Sequence, residues 1–247
     1  MAIFDRAHSF TWTFNMGLVA LLAATLCLVP TAGWLLAWHM QLDLGAFMLY
    51  AVVPALVALA ACEFYLASRS PLLFNRLVAG LVGGVAGMLA FDLVRLPGAY
   101  MAKWAPDWVP LIGQHLLDET IGIAPTMRAS ALGVGYHYLL IGALMGAAYS
   151  LILGKGRWWW ASATALVAGL GFMFLPQARL LTVATGFDLI VANITWAIAF
   201  AVGGAVLGGV VQWLGRTRTN AFYVVFAREK AVEVASDAAE RRYTPTR

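Results

Sequence analysis

Six apolar runs constrain this chain more than any other feature, each close to the ~20 residues a helix needs to cross the hydrocarbon core of a bilayer. They cover roughly residues 13–37, 45–66, 77–96, 131–153, 158–176 and 190–214. Lipid offers the backbone no water to bond, so such a segment must satisfy its own N–H and C=O groups, as a helix does. The reading is an all-α, polytopic membrane protein with its transmembrane domain over 1–215 and a polar tail over 216–247. Composition supports this: 62% of residues are hydrophobic and 11% charged, against about 25% charged in soluble domains. The run from Phe14 to Trp38 follows Arg6, and it is longer than the apolar stretch of a signal peptide, roughly 7–15 residues. It is read as a retained helix. Pro30 and Pro54 fall inside the first two runs and are expected to kink them.

The basic residues set the expected orientation. Arg6, then Arg69 and Arg76, then Lys155 and Arg157, then Arg216 and Arg218 occupy alternate connections; the intervening ones are poorer in Lys and Arg for their length. The positive-inside rule then places both termini in the cytoplasm and the long connection 97–130 outside. Tryptophans near the run ends, such as Trp38 and the triplet Trp158–Trp160, suit an interfacial belt. The net charge of +4 is accounted for by helix ends and tail, and points to the bilayer as partner rather than to nucleic acid. Cys27 and Cys62 lie within apolar runs and read as small buried hydrophobes, not as a disulfide or a metal site.

Most polar residues placed where chemistry could occur fall between Asp92 and His137. Asp92 and Arg95 stand three apart near the end of the third run, on one helix face, and are expected to pair there. Ionisable groups at membrane depth are expensive, which makes both candidates for a binding, proton or ion pathway. His137 joins them: it sits about 10 Å along the fourth run, between Tyr136 and Tyr138. Along the connection, KWAPDWVPLIGQHLL has the aromatic and apolar mix of a helix lying on the bilayer surface. If that helix continued, His115, Asp118 and Glu119 would share a face and could hold a divalent metal. His39, at the end of the first run, is the further candidate for a metal or for haem beside His115 and His137. No cofactor is identified by these residues. The chain lacks a phosphate loop, Gly-x-Ser-x-Gly, His-Glu-x-x-His and Cys-x-x-Cys, so nothing marks hydrolytic, nucleotide or zinc-protease chemistry.

Two hairpins carry similar glycine spacing. Gly142 and Gly146 lie near the end of the fourth run, Gly204 and Gly208 near the end of the sixth, and such small residues let membrane helices approach closely. The series His137, Gly142, Gly146, Tyr149, followed by a short basic turn with tryptophans and another glycine-rich run, resembles the YagU-type bacterial inner-membrane proteins. The resemblance covers the last four runs and implies a prokaryotic inner membrane without implying an activity. The last run departs from it, with Asn193 and Trp196 where that group tends to carry a histidine. Among functions, a non-catalytic accessory or scaffold subunit of a larger respiratory or photosynthetic complex ranks first, with other membrane subunits or further copies of the chain as partners. A small transporter or channel with an outer polar site ranks second, and a haem, metal or quinone redox protein third.

Overall fold

The computed structural model describes residues 2–40, 42–102, 104–120, 124–184 and 186–215. The tail expected over 216–247 lies outside the described residues. The elements, in order, are α1 (Ala2–Met40), α2 (Leu44–Arg69), α3 (Pro71–Ala102), α4 (Val109–Leu116), α5 (Met127–Leu153), α6 (Trp158–Met173), α7 (Pro176–Ala184) and α8 (Leu189–Leu214). No strand occurs among the described residues.

Among the described residues, five helices are long and apolar enough to cross a membrane: Asn15–Met40 within α1, then α2, α3, α5 and α8. The expected fifth run, 158–176, is helical for only 16 residues, about 24 Å against the ~30 Å of a hydrocarbon core. The reason is local. Leu175 precedes Pro176, a position that disfavours helical backbone, and the chain restarts as the short α7.

Two expectations about the spans are refined. α3 runs on to Ala102, so the connection is shorter than 97–130. Pro30 is accommodated within an uninterrupted α1, whereas Pro54 follows a π-helical stretch over Met48–Val52. There the Val53 N–H reaches back to the Met48 carbonyl, five residues away. A second π stretch, Gly98–Ala102, follows Pro97. Proline has no N–H to continue the ordinary ladder, and a wider turn is one way to absorb the gap.

Side chains close several helix ends. Asp43 accepts from Ala46 N at the start of α2, Thr126 from Ala129 N before α5, and Asp188 from Ile190 N and Val191 N before α8. At the other end of α5 the chain turns through Gly154 at φ 67°. Lys155 then donates to the Gly215 carbonyl, tying that turn to the end of α8.

Glycine determines how the long helices pack. α3 presents Gly80 and Gly84 to Gly142 and Gly146 of α5, and Gly83 and Gly87 to Gly203 and Leu207 of α8. Gly204 and Gly208 of α8 meet the backbone of α6 at Ala161 and Trp158. Each glycine pair singled out in the sequence therefore packs a returning helix onto the outgoing helix of its own hairpin. Cys27 and Cys62 are free thiols in an apolar core shared by α1, α2, α3 and α5.

A Cβ on Gly80 would stand 2.5 Å from the Gly146 carbonyl oxygen and 2.6 Å from Ala147 Cα, whereas one on Gly171 meets nothing within 4 Å. Gly80→Ala is expected to cost about 1–3 kcal/mol through overpacking. In a thermal melt of the solubilised protein, Gly80→Ala lowers the midpoint and Gly171→Ala does not.

Candidate functional site

Three elements meet where α3 ends. Asp92 and Arg95 lie one turn apart on α3, Asp107 lies in the chain just before α4, and His137 and Tyr138 sit in a π-helical stretch of α5, Tyr136–Ala143. Such stretches recur at functional sites in helices. Here the stretch buries Tyr136 and His137 and still leaves Tyr138 in reach of α3.

The charges are nearly dry: Asp92 is 4% exposed and Arg95 1%. The Arg95 guanidinium bridges two carboxylates. Its Nε and Nη2 donate to Asp92 Oδ1 at 3.1 and 2.8 Å, and its Nη1 donates to Asp107 Oδ1 at 2.8 Å. Nη1 also lies 3.4 Å from the Pro106 carbonyl. Asp92 Oδ2 accepts from the Tyr138 hydroxyl at 2.6 Å. His137 Nε2 is 3.3 Å from the same oxygen, close enough to interact but not aligned for a hydrogen bond. Asp107 Oδ2 accepts from the Tyr100 hydroxyl, and Oδ1 also accepts from Val109 N at 3.1 Å, in the first turn of α4. Buried charges are tolerable when paired and hydrogen-bonded in this way.

The expected neighbours Asp92, Arg95 and His137 are thus brought together. The metal candidates are not. α4 stops at Leu116, and Asp118 turns the chain at φ 52°, so His115, Asp118 and Glu119 do not share a helix face. Glu119 instead accepts from the Thr126 hydroxyl and backbone at the start of α5. His39 is exposed at the end of α1. No group of three or more His, Cys, Asp and Glu residues suited to a metal ion occurs among the described residues. The inner face of α4 packs on protein: Val109, Ile112 and Gly113 are buried, with Gly113 against the Ala129 backbone and Gly133 against that of Val109.

Beside the charge cluster lies a cavity of about 180 Å³. Arg95 and His137 form part of its wall, and aromatic rings from α1, α3, α6 and α8 form much of the rest. Phe172 and Trp196 are stacked 5.2 Å apart at 11°, and Trp108 meets Trp196 edge-on at 4.9 Å. Four buried polar atoms in this wall have no hydrogen-bond partner among the described residues: Thr31 Oγ1, Trp108 Nε1, His137 Nε2 and Trp196 Nε1. The surface facing the cavity is almost wholly carbon.

Sequence reasoning did not single out Asp107, Tyr100 or Tyr138. Asp107 carried a usable signal, an acidic residue within Pro106-Asp107-Trp108-Val109-Pro110, where side chains commonly bind the first N–H groups of a helix. The cavity carried none, because its Trp and Phe rings come from five separate segments. No family model, curated protein or solved structure matches the chain.

Two measurements test this arrangement. Arg95→Met strands two carboxylates and is expected to destabilise by about 3–5 kcal/mol, whereas Tyr138→Phe removes one bond to a charged group, about 1.5–3 kcal/mol. Thermal melts should rank wild type above Tyr138→Phe and Tyr138→Phe above Arg95→Met. In the connection, burial holds His115 below the ordinary imidazole pKa, against the opposing pull of its bond to the Leu42 backbone and of Asp118 and Asp43. As pH falls through about 6.5 the unfolded chain takes up the proton first, so this group lowers stability progressively until the folded pKa is passed. A His115→Gln variant should lose less melting temperature than wild type between about pH 7 and pH 5.

Proposed function

We propose that this is a non-catalytic membrane protein that holds a small, uncharged molecule inside its helix bundle. In this reading α6 completes a set of six spans, both termini are cytoplasmic, and the charge cluster lies toward the outer face of a prokaryotic inner membrane. The basic residues support that orientation, because Arg69, Lys155 and Arg157 lie at the turns opposite the charge cluster and Arg76 is buried in the first turns of α3 at the same end, against Gly215.

One observation carries the ligand reading: an apolar, ring-walled cavity adjoins a buried charge cluster whose carboxylates are already engaged by Arg95, Tyr100 and Tyr138. Ligand sites are typically concave and mainly apolar with a few polar groups converging on them. Saturated charges position the wall rather than react, which favours binding or passage of a molecule over its conversion. Arg95 and His137 are accordingly wall-forming residues, and Asp92 is a positioning residue.

Native mass spectrometry of protein gently released from its own membrane tests the reading. The expected spectrum shows the 26.6 kDa chain with a small non-covalent increment that disappears in Ala168→Trp, a substitution at the cavity wall. An increment matching another polypeptide, with no small one, would return the protein to the accessory-subunit role.

A further inference from the structure

We infer that the cavity takes an apolar ring compound, a hydrocarbon monocycle or its alkyl-substituted form, drawn sideways from the bilayer. This rests on the reading of the cavity as the ligand site and names the class of ligand.

The wall chemistry selects against polar ligands. The Thr31, Trp108 and Trp196 heteroatoms are buried away from the cavity surface and His137 Nε2 faces the Asp92 carboxylate, so a carbonyl or hydroxyl placed here would lose its water without gaining a partner. Ionic ligands are disfavoured for a second reason. Among the described residues the only charged group in the wall is Arg95, and Asp92 and Asp107 already balance its charge.

Size and shape select a ring. An apolar cavity of about 150 Å³ stays dry and admits benzene, and this one measures about 180 Å³. Phe172 stacks with Trp196 at 5.2 Å and with Trp34 at 5.8 Å, and the edges and faces that these rings leave uncovered are part of the wall. A planar guest gains offset or edge-to-face contacts against such faces.

Access lies on the α6 side. Among the described residues Ala168 is the one exposed residue in the cavity wall, and α6 is the shortest of the helices assigned to the membrane. Ala168, Met88, Phe91, Met145 and Phe200 also border a second space of about 100 Å³. That space runs between the glycine faces of α3, α5 and α8. It gives room for a short alkyl substituent on the ring.

The full-length protein in nanodiscs is titrated calorimetrically with α-methylstyrene and with acetophenone, which has the same shape but carries C=O in place of C=CH2. Empty nanodiscs supply the partition background. The expected result is saturable one-site binding of α-methylstyrene, at least as tight as that of acetophenone and weakened at least tenfold in Ala168→Trp. Ile141→Trp fills the cavity from α5 and should act alike, which guards against misfolding of either variant.

A preference for acetophenone of threefold or more, abolished by Trp108→Phe or Trp196→Phe, would show that an indole N–H is used. That outcome overturns the hydrocarbon assignment and leaves the cavity as the site. Hydrocarbon binding unchanged in both filling variants would place it elsewhere and overturn the inference. Failure of both compounds to bind above the lipid background would overturn this inference, while the small increment in the native mass spectrum decides the ligand reading separately.

Discussion

The loop end of this protein depends on one guanidinium shared between two carboxylates. In a low-dielectric setting Arg95 alone, or either aspartate alone, would be a costly buried charge. Together they become a cross-link: Asp92 fixes Arg95 to its own helix, and Asp107 fixes the chain before α4 to that same group. Tyr138 adds α5 through the free oxygen of Asp92, and Val109 N adds the first turn of α4 through Asp107. Three segments distant in sequence are thereby held around one point. Arg suits this role better than Lys because its planar fork can address two acids from fixed directions.

The cavity follows from that cross-link. Trp108 stands next to Asp107, so anchoring the aspartate also sets the indole against Trp38, Phe172 and Trp196. Lower in the bundle the opposite regime holds. Glycines let α3, α5 and α8 approach backbone to backbone, with no room for a Cβ at Gly80, Gly84, Gly87 or Gly146. Such approach is how membrane helices associate when lipid is as apolar as their own side chains. Bulky rings stand at one end and glycines at the other, and the larger of the two spaces lies among the rings.

Much of this was legible in the chain, for different physical reasons at different places. Span positions followed from apolar length, since the bilayer sets a minimum that few soluble segments reach. Helix starts at Asp43, Thr126 and Asp188 carry side chains that accept from backbone N–H groups two or three residues ahead, a local signal. The Asp92–Arg95 pair was readable because three residues along a helix is a contact distance. The proposed metal face of His115, Asp118 and Glu119 was misplaced because it assumed one helix through Leu117, where the chain instead turns with Asp118 at positive φ. The reach of the fifth run was overstated for a similar reason: hydropathy carries no record of the proline that ends it.

The sequence by itself therefore determined a membrane-spanning, all-helical chain, the approximate ends of its long helices, and the one buried ion pair formed within a single helix. Each of these is fixed by periodicity, apolar length or local bonding. Only the tertiary structure decided that Asp107 shares Arg95 with Asp92, that a π-helical stretch delivers His137 and Tyr138 to the same place, and that rings from four helices and from the chain before α4 line a cavity. Those outcomes depend on side chains separated by tens of residues. Their meeting is set by how glycine faces let the helices cross, a property of the packed bundle that no single stretch of the chain contains.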